Sequence, residues 1–334
     1  MKISISIIIP YFNLDKPLLM RAVQSIRAIG NHALWELIVI DDGTPSSEAG
    51  KWLEELHDDR IRYFYQSNRG VSEARNYGLT LARYEYILFV DADDYLFRSP
   101  LLACVRLLER EKPDMLAFNQ TDVTDTGYHD RPTEKLHIRF RGRGYDYMLR
   151  YNLHGSPWSF FFRRDILGDI RFTPDIYHED EEFVARLYLN PQKLVVTTSV
   201  VYAYYQREGS RMHQPSEKEI EKRYEDFITV MKRLQSLLPN LDSQKRKALS
   251  RRINVLNADL LYRLLNEQRS VRFARRILRM MKTEGFYPLR TRFYGLPYLC
   301  ILLSTCVPFL FYITRTLLRG KNLIKNLSFS QNDN

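Results

Sequence analysis

The sequence predicts an α/β protein built on a doubly wound, mostly parallel sheet, with a helical, membrane-associated extension at its C-terminal end. Three observations predict it. Through the first 120 residues, short β-branched runs alternate with amphipathic stretches at close spacing, the pattern of strands joined by crossover helices. From Glu217 to Met281 this alternation stops and the periodicity is helical throughout. Beyond it, the 22 residues from Phe293 to Thr314 carry no charge, and a bilayer-crossing helix needs about 20 apolar residues.

Each element has its own reason. Ile3–Ile9 is a β-branched run ended by Pro10, hence a buried strand. Lys16 to Ile29 places Leu18, Leu19, Ala22, Val23 and Ile26 on one helical face. Leu37–Ile40 is a second strand that runs directly into Asp41-Asp42-Gly43. Helix 47–57, strand 61–65, helix 71–82 and strand 86–90 follow, the last running into Asp91; helix 100–111 and strand 114–118 complete the series. Residues 120–157 show weaker periodicity and read as a long excursion with one helix near Tyr145–Tyr151. Trp158–Phe162 and Leu194–Tyr205 read as strands and Glu181–Leu189 as a helix. The helical stretch breaks near Pro239-Asn240 and again over Asn266–Ser270.

At 334 residues the chain is long enough for more than one folded unit. We expect three parts: 1–215 as the α/β domain, 216–285 as a basic helical subdomain, and 286–334 as an apolar membrane-associating segment with a basic tail. With 45% apolar and 27% charged residues the chain is not disordered. A mean hydropathy of −0.37 excludes a protein made mostly of membrane spans. Cys104, Cys300 and Cys306 offer no pairing framework and no zinc-ligand spacing. The first apolar run is short and interrupted by serines, unlike a cleaved signal. The formal charge of +10 is unevenly placed, −3 over residues 1–215 and +13 over 216–334. The surplus calls for a polyanionic neighbour, either a nucleic acid or an anionic membrane surface.

In doubly wound sheets ligands bind beyond the carboxyl ends of the strands, and three polar clusters fall there: Tyr11–Asn13, Asp41-Asp42 and Asp91–Asp94. Asp91-Ala92-Asp93-Asp94 suits a hard divalent cation and the phosphates it carries, or else is a solvated turn. Asp42 could serve the same ligand or cap the helix that follows. Within Asn68–Asn76, Gly70 and Ser72 fit a helix start, while Arg75 and Asn76 on the first turns fit a phosphate or a base edge. His178-Glu179-Asp180-Glu181-Glu182 is either a helix start rich in acid or the seat of a carboxylate base. Neither a GxGxxG nor a P-loop motif accompanies these clusters.

Taken together, Ser6–Asn13, Val39–Gly43, Gly70–Asn76, Phe89–Asp94 and Glu179-Asp180 resemble the family 2 glycosyltransferases of GT-A fold, in order and in spacing, over roughly residues 1–215. The resemblance implies an inverting transfer of a sugar from a nucleotide diphosphate donor, UDP by family habit, with Mn²⁺ or Mg²⁺ bound. It implies that Pro10, Tyr11, Asn13, Asp42 and Arg75 hold the nucleoside with Asp41 nearby. Asp91, Ala92 and Asp93 form the DXD turn, Asp93 as metal ligand and Asp91 on the ribose or supporting the metal. Asp180 becomes the general base with Glu179 beside it, and Trp158 stands where relatives carry an aromatic near the acceptor. Relatives often have a Tyr-Arg pair before a Gly-Ser turn near the diphosphate; here Tyr205 replaces that arginine, so Arg207 or Arg211 is expected to take over.

The basic surplus then favours lipid. Val271, Ala274, Leu278 and Met281 line one side of a helix otherwise crowded with Arg272, Arg275, Arg276 and Arg279, as in membrane-surface helices. Leu296–Ile313 spans, re-enters or packs as a core hairpin, since Pro297 and Pro308 interrupt a straight helix. The expected acceptor is a lipid-linked or cell-surface saccharide at the cytoplasmic face of a bacterial inner membrane. Transfer to a polyprenyl phosphate is the alternative within the same chemistry. A non-catalytic binding module for nucleic acid or membrane is the alternative outside it; no nucleic-acid motif is present, and no nucleic-acid partner is expected.

Overall fold

Strand β1 (Ser4–Tyr11) is apolar on both faces, and Ile5, Ile7, Ile8 and Ile9 are all fully buried, as expected for a central strand covered by helices on both sides. The computed structural model that shows this describes residues 2–124, 127–131, 135–206, 216–266 and 269–288. Arg207, Arg211, Cys300, Cys306 and the Leu296–Ile313 segment lie outside the described residues. Among the described residues, no helix is long and apolar enough to cross a membrane.

The chain continues through α1 (Lys16–Arg27), β2 (Leu34–Asp42), α2 (Ala49–Glu54), β3 (Ile61–Gln66), α3 (Val71–Leu81) and β4 (Tyr86–Phe89). There follow β5 (Tyr95–Leu96), α4 (Arg98–Glu111), β6 (Met115–Val123), β7 (Ile138–Gly142) and α5 (Gly144–Arg150). Next come β8 (Phe160–Arg163), α6 (Glu179–Leu187), β9 (Leu194–Tyr205), α7 (Glu217–Leu237), α8 (Ser243–Asn266) and α9 (Val271–Thr283). The described residues group into two units. One lies within Met1–Tyr147, Gly155–Asp175 and Arg186–Pro215, the other within Met148–His154, Ile176–Ala185 and Ser216–Asn334. Residues 148–154 and 176–185 thus group with the helical part of the chain, although they precede position 215.

The first unit holds a single sheet in the order β3-β2-β1-β4-β8-β6-β9-β5, with β7 also paired to β9. The sheet is mixed, which corrects the expectation of a mostly parallel one. β3, β2, β1 and β4 run parallel, as do β6 and β9, whereas β8 is antiparallel to both β4 and β6, and β5 and β7 are antiparallel to β9. Apolar periodicity reports that Phe160–Phe162 is a buried strand but says nothing about its direction, which tertiary pairing decides. Two strands also escaped the sequence reading: β5 is two residues long, and β7 lies in the polar excursion.

Close backbone packing sets the parallel half. Gly78 brings α3 onto β1 so tightly that a Cβ there would stand 2.4 Å from Ile8 Cγ2. In the second unit, α7 packs with both α8 and α9, burying Phe227, Met231 and Leu234, then Leu249, Leu256 and Leu260, then Ala274, Ile277 and Met281. Ser216 and Glu219 form a reciprocal capping box at the start of α7. The apolar side of α9 is therefore consumed inside this unit, and Val271, expected on it, is 45% exposed. The side carrying Arg272, Arg275, Arg276 and Arg279 faces outward.

Candidate active site

The carboxyl ends of β1, β2 and β4 come level with one another. Tyr11 pairs in register with Asp41, Asp42 with Gln66, and Val90 N–H donates to the Ile8 carbonyl, so Asp91 follows directly beside β1. The strand order reverses between β1 and β4, and at that switch point the flanking loops part and leave a cleft. The cavity there measures about 620 Å³. Pro10, Tyr11, Asn13, Asp42, Arg75, Asp91, Ala92 and Asp93, all candidates from the sequence, line it; Phe12, Leu14, Asn68, Gly70, Val71 and Ala74 complete the wall.

Asp42 holds the cavity's loop instead of capping α2. Its carboxylate accepts from Gln66 Nε2 (2.7 Å) and from the backbone N–H groups of Arg69 and Gly70 (both 2.8 Å), fixing residues 66–70 as they enter α3. That approach needs Gly43, whose φ is +81° and whose added Cβ would lie 2.4 Å from Asn68 N. Gly43→Ala is accordingly expected to cost about 1–3 kcal/mol of folding stability and to weaken nucleotide binding. A urea melt together with calorimetric titration of UDP checks this; unchanged values in both would show that the loop adapts.

Asp41 departs from its expected place. It is fully buried and does not line the cavity, because its carboxylate accepts from Thr44 N–H (2.9 Å) and from the Tyr63 hydroxyl (2.7 Å). Asn76 is likewise not presented to a phosphate or base edge. Its amide donates to the Phe172 carbonyl (2.8 Å) and accepts from the Phe172 N–H (2.9 Å), bracing α3. Gly70, not Ser72, holds the N-cap position of that helix.

Arg75, 4% exposed, donates to Asp91 Oδ1 at 3.0 Å, with its guanidinium 5.3 Å from the Phe172 ring centre. Asp91 thus has a buried counter-charge, and Asp93, half-buried on the same turn, lines the cavity beside it. Sequence reasoning missed the support beneath this turn. Arg21 of α1 lies between the rings of Tyr95 and Tyr205 (4.8 and 4.7 Å) and donates to the Asp93 carbonyl (2.6 Å). Asp94 is 1% exposed; it accepts from the Tyr202 hydroxyl (2.6 Å) and from Tyr205 N–H (2.7 Å), while Tyr202 Oη accepts from Asp91 N–H (3.1 Å). Burial, then the neighbouring Asp91 and Asp93 carboxylates, push the Asp94 carboxyl well above the usual carboxylate range. Arg21 lies in the amphipathic pattern of α1, ten residues past the end of β1, and nothing in the local sequence distinguishes it from a surface arginine.

The donor set fits a hard divalent cation. Two carboxylates on one turn face a cavity that can admit a diphosphate, and among the described residues no group of three His, Cys, Asp or Glu forms a full protein cage. Mg²⁺-type sites commonly take one or two carboxylates and complete their shell with substrate phosphate and water.

Trp158 does not line the cavity. Its Nε1 donates to Gln120 Oε1 (2.8 Å) and its ring stacks on Tyr202 and Tyr204, each 6.0 Å between centres. Glu179 and Asp180 open α6 and group with the second unit, where Asp180 Oδ1 accepts from Glu181 N–H (2.8 Å). Next to them, burial together with Arg263 and Arg223 pushes the His178 imidazole down to about 3, which favours its neutral form.

The fold, with its mixed sheet and its cavity at the strand-order switch point, is the GT-A-like architecture of glycosyltransferases. Residues 6–171 match the sequence model of Glycosyl transferase family 2, and the chain carries a domain of that family over those residues. It is 26% identical over 253 residues to the uncharacterized glycosyltransferase YibD of Escherichia coli K12, covering 71% of each chain. It is 25% identical over 221 residues to the glycosyltransferase GlyG of Streptococcus pneumoniae, covering 62% of this chain and 72% of the relative. Among solved structures, S. aureus TarS 1-349 in complex with UDP-GlcNAc superposes with a TM-score of 0.66 at 19% identity, over 84% of this chain and 80% of that one. The mannosyltransferase PcManGT of Pyrobaculum calidifontis, in complex with GDP-Man and Mn²⁺, gives 0.53 at 15% identity, over 95% and 86%.

Proposed function

We propose that this enzyme is an inverting glycosyltransferase that moves a sugar from a UDP-sugar to a hydroxyl of a lipid-linked or cell-surface saccharide. The observation that carries the reading is the convergence of Asp42, Arg75, Asp91 and Asp93 on one cavity at the carboxyl ends of β1, β2 and β4. The UDP-GlcNAc and UDP complexes of TarS favour UDP among the nucleotides, and the Mn²⁺ of PcManGT favours a metal-assisted donor site.

In this reading Pro10, Tyr11, Asn13 and Asp42 seat the nucleoside, and Arg75 holds Asp91 toward the ribose. Asp93, with Asp91, would hold Mn²⁺ or Mg²⁺, which when bound neutralises charge on the departing diphosphate. Arg21 and the Asp94–Tyr202 pair keep the DXD turn in place from below. Asp180 accepts the proton of the acceptor hydroxyl, whose oxygen forms the new bond to the anomeric carbon as the bond to the diphosphate breaks. One displacement from the opposite face inverts the anomeric centre and needs a single carboxylate base. We place the enzyme at the cytoplasmic face of a bacterial inner membrane. Because the apolar side of α9 is buried within its own unit, its contribution is electrostatic, through Arg272, Arg275 and Arg279 on anionic head groups.

The test is a panel of UDP-, GDP- and dTDP-sugars, with Mn²⁺ or with EDTA, scored by thermal stabilisation and by nucleotide release. A UDP-sugar is expected to raise the midpoint in Mn²⁺ and not in EDTA. Stabilisation by GDP- or dTDP-sugars alone overturns the choice of nucleotide, and an EDTA-insensitive shift overturns the role of the metal.

A further inference from the structure

Within the second unit, the short segment that carries Asp180 is held by charged anchors from α7 and α8. Arg252 of α8, 5% exposed, donates Nη1 to the Leu153 carbonyl (2.9 Å) and pairs through Nη2 with Glu181. Arg233 of α7 donates Nε to Glu182 Oε2 (2.8 Å), a carboxylate that is itself almost wholly buried. Asp226 of α7 accepts the backbone N–H of Tyr177 (2.9 Å) while also paired with Lys222 (2.7 Å). The anchors attach at 177, 181 and 182 and so bracket Glu179 and Asp180 on both sides. Between them His178 has a φ of +66°, a conformation that a residue with a Cβ keeps only when its surroundings impose it. Its ring meets Phe227 edge-on at 4.6 Å.

Stability alone does not account for this arrangement. Taking Arg252 and Glu182 out of water costs desolvation that a pair barely recovers, and apolar residues of similar volume would hold the helices together as well or better. What ion pairs and hydrogen bonds add over apolar contact is direction. Here that direction is spent on the first turn of α6, where the Asp180 carboxylate is already oriented by the Glu181 N–H.

We propose that Arg252 and Arg233 are positioning residues for catalysis, fixing the rotation of the first turn of α6 so that the Asp180 carboxylate is presented in a reactive orientation. The inference rests on Asp180 being the general base.

The experiment uses the full chain with UDP-sugar and acceptor, in single-turnover form so that weak variants are measurable. R252M is expected to lower kcat by about 100-fold, the scale of a misplaced catalytic group, while the donor KM stays within about two-fold. R252K recovers part of the loss, and R233M loses roughly 10-fold because that arginine is half-exposed. In the D180N background, R252M should cause no further loss of kcat, since residues that act through one group are not additive. If R252M fails to fold, as judged by circular dichroism, E181Q removes the charge opposite Arg252 but keeps an acceptor, and is expected to show part of the same kcat-only loss. A folded R252M or E181Q with unchanged kcat, or an R252M loss that multiplies in full with D180N, overturns the inference. Wild-type turnover in D180N alone would instead remove the base assignment, an outcome distinct from either.

Discussion

Asp93→Asn is expected to abolish metal-dependent transfer while leaving the fold intact. Asp93 reaches the cavity from a turn whose geometry is fixed elsewhere, by Arg21 at its carbonyl, by Asp94 below it and by the hydroxyl of Tyr202 at Asp91 N–H. On the proposed reading, removing its charge would take away a cation ligand while these three supports of the turn stay in place. With the cation weakly held, charge on the departing diphosphate goes uncompensated; several kcal/mol of transition-state stabilisation are at stake, or roughly 1,000-fold in kcat/KM. Asp91→Asn is the less informative variant, because it also removes the counter-charge of Arg75, 4% exposed, and weakening such a buried pair destabilises the fold as well as the site. Transfer assayed against Mn²⁺ concentration, beside a thermal melt, checks the expectation. Wild-type Mn²⁺ dependence in Asp93→Asn would move the metal site off this turn.

Asp180→Asn is expected to reduce kcat by roughly 100- to 10,000-fold, the range a general base contributes, with UDP-sugar affinity unchanged. The asparagine side chain can still accept from Glu181 N–H through its oxygen, so the first turn of α6 keeps this local bond while the carboxylate's capacity to take up a proton is lost. Donor affinity is expected to hold because every residue lining the cavity belongs to the first unit, which does not include Asp180. Calorimetry of donor binding paired with single-turnover transfer separates the two effects. A parallel loss of donor binding would assign Asp180 to the donor site instead.

Much of the cavity was legible because the relevant side chains sit where strands end. A buried parallel strand must terminate at the sheet's rim, so polar residues directly following Ile9, Ile40 and Val90 are placed at that rim by the chain itself. Eight named residues line the cavity for this reason. Asp41 failed because adjacent residues on a strand point to opposite faces: Asp42 turns to the cavity loop and Asp41 to Thr44 and Tyr63. Asn76 failed for the corresponding reason on a helix, since one residue past Arg75 the side chain has rotated away, toward Phe172.

By itself the sequence determined the α/β alternation, the positions of the strand ends, the acidic turn at Asp91–Asp93 and the helical, basic character of the later chain, because each is written in local periodicity or in residues close along the chain. The tertiary structure decided what depends on distant partners. It set β8 antiparallel between β4 and β6, where an apolar run alone fits either direction. It brought Arg21 under Asp93 from 72 residues away. It also buried the apolar side of α9 against its own unit and tied Glu181 to Arg252 across 71 residues. Pairing direction, buried counter-charges and the partner of an amphipathic face are properties of contacts between segments, and no single segment's pattern contains them.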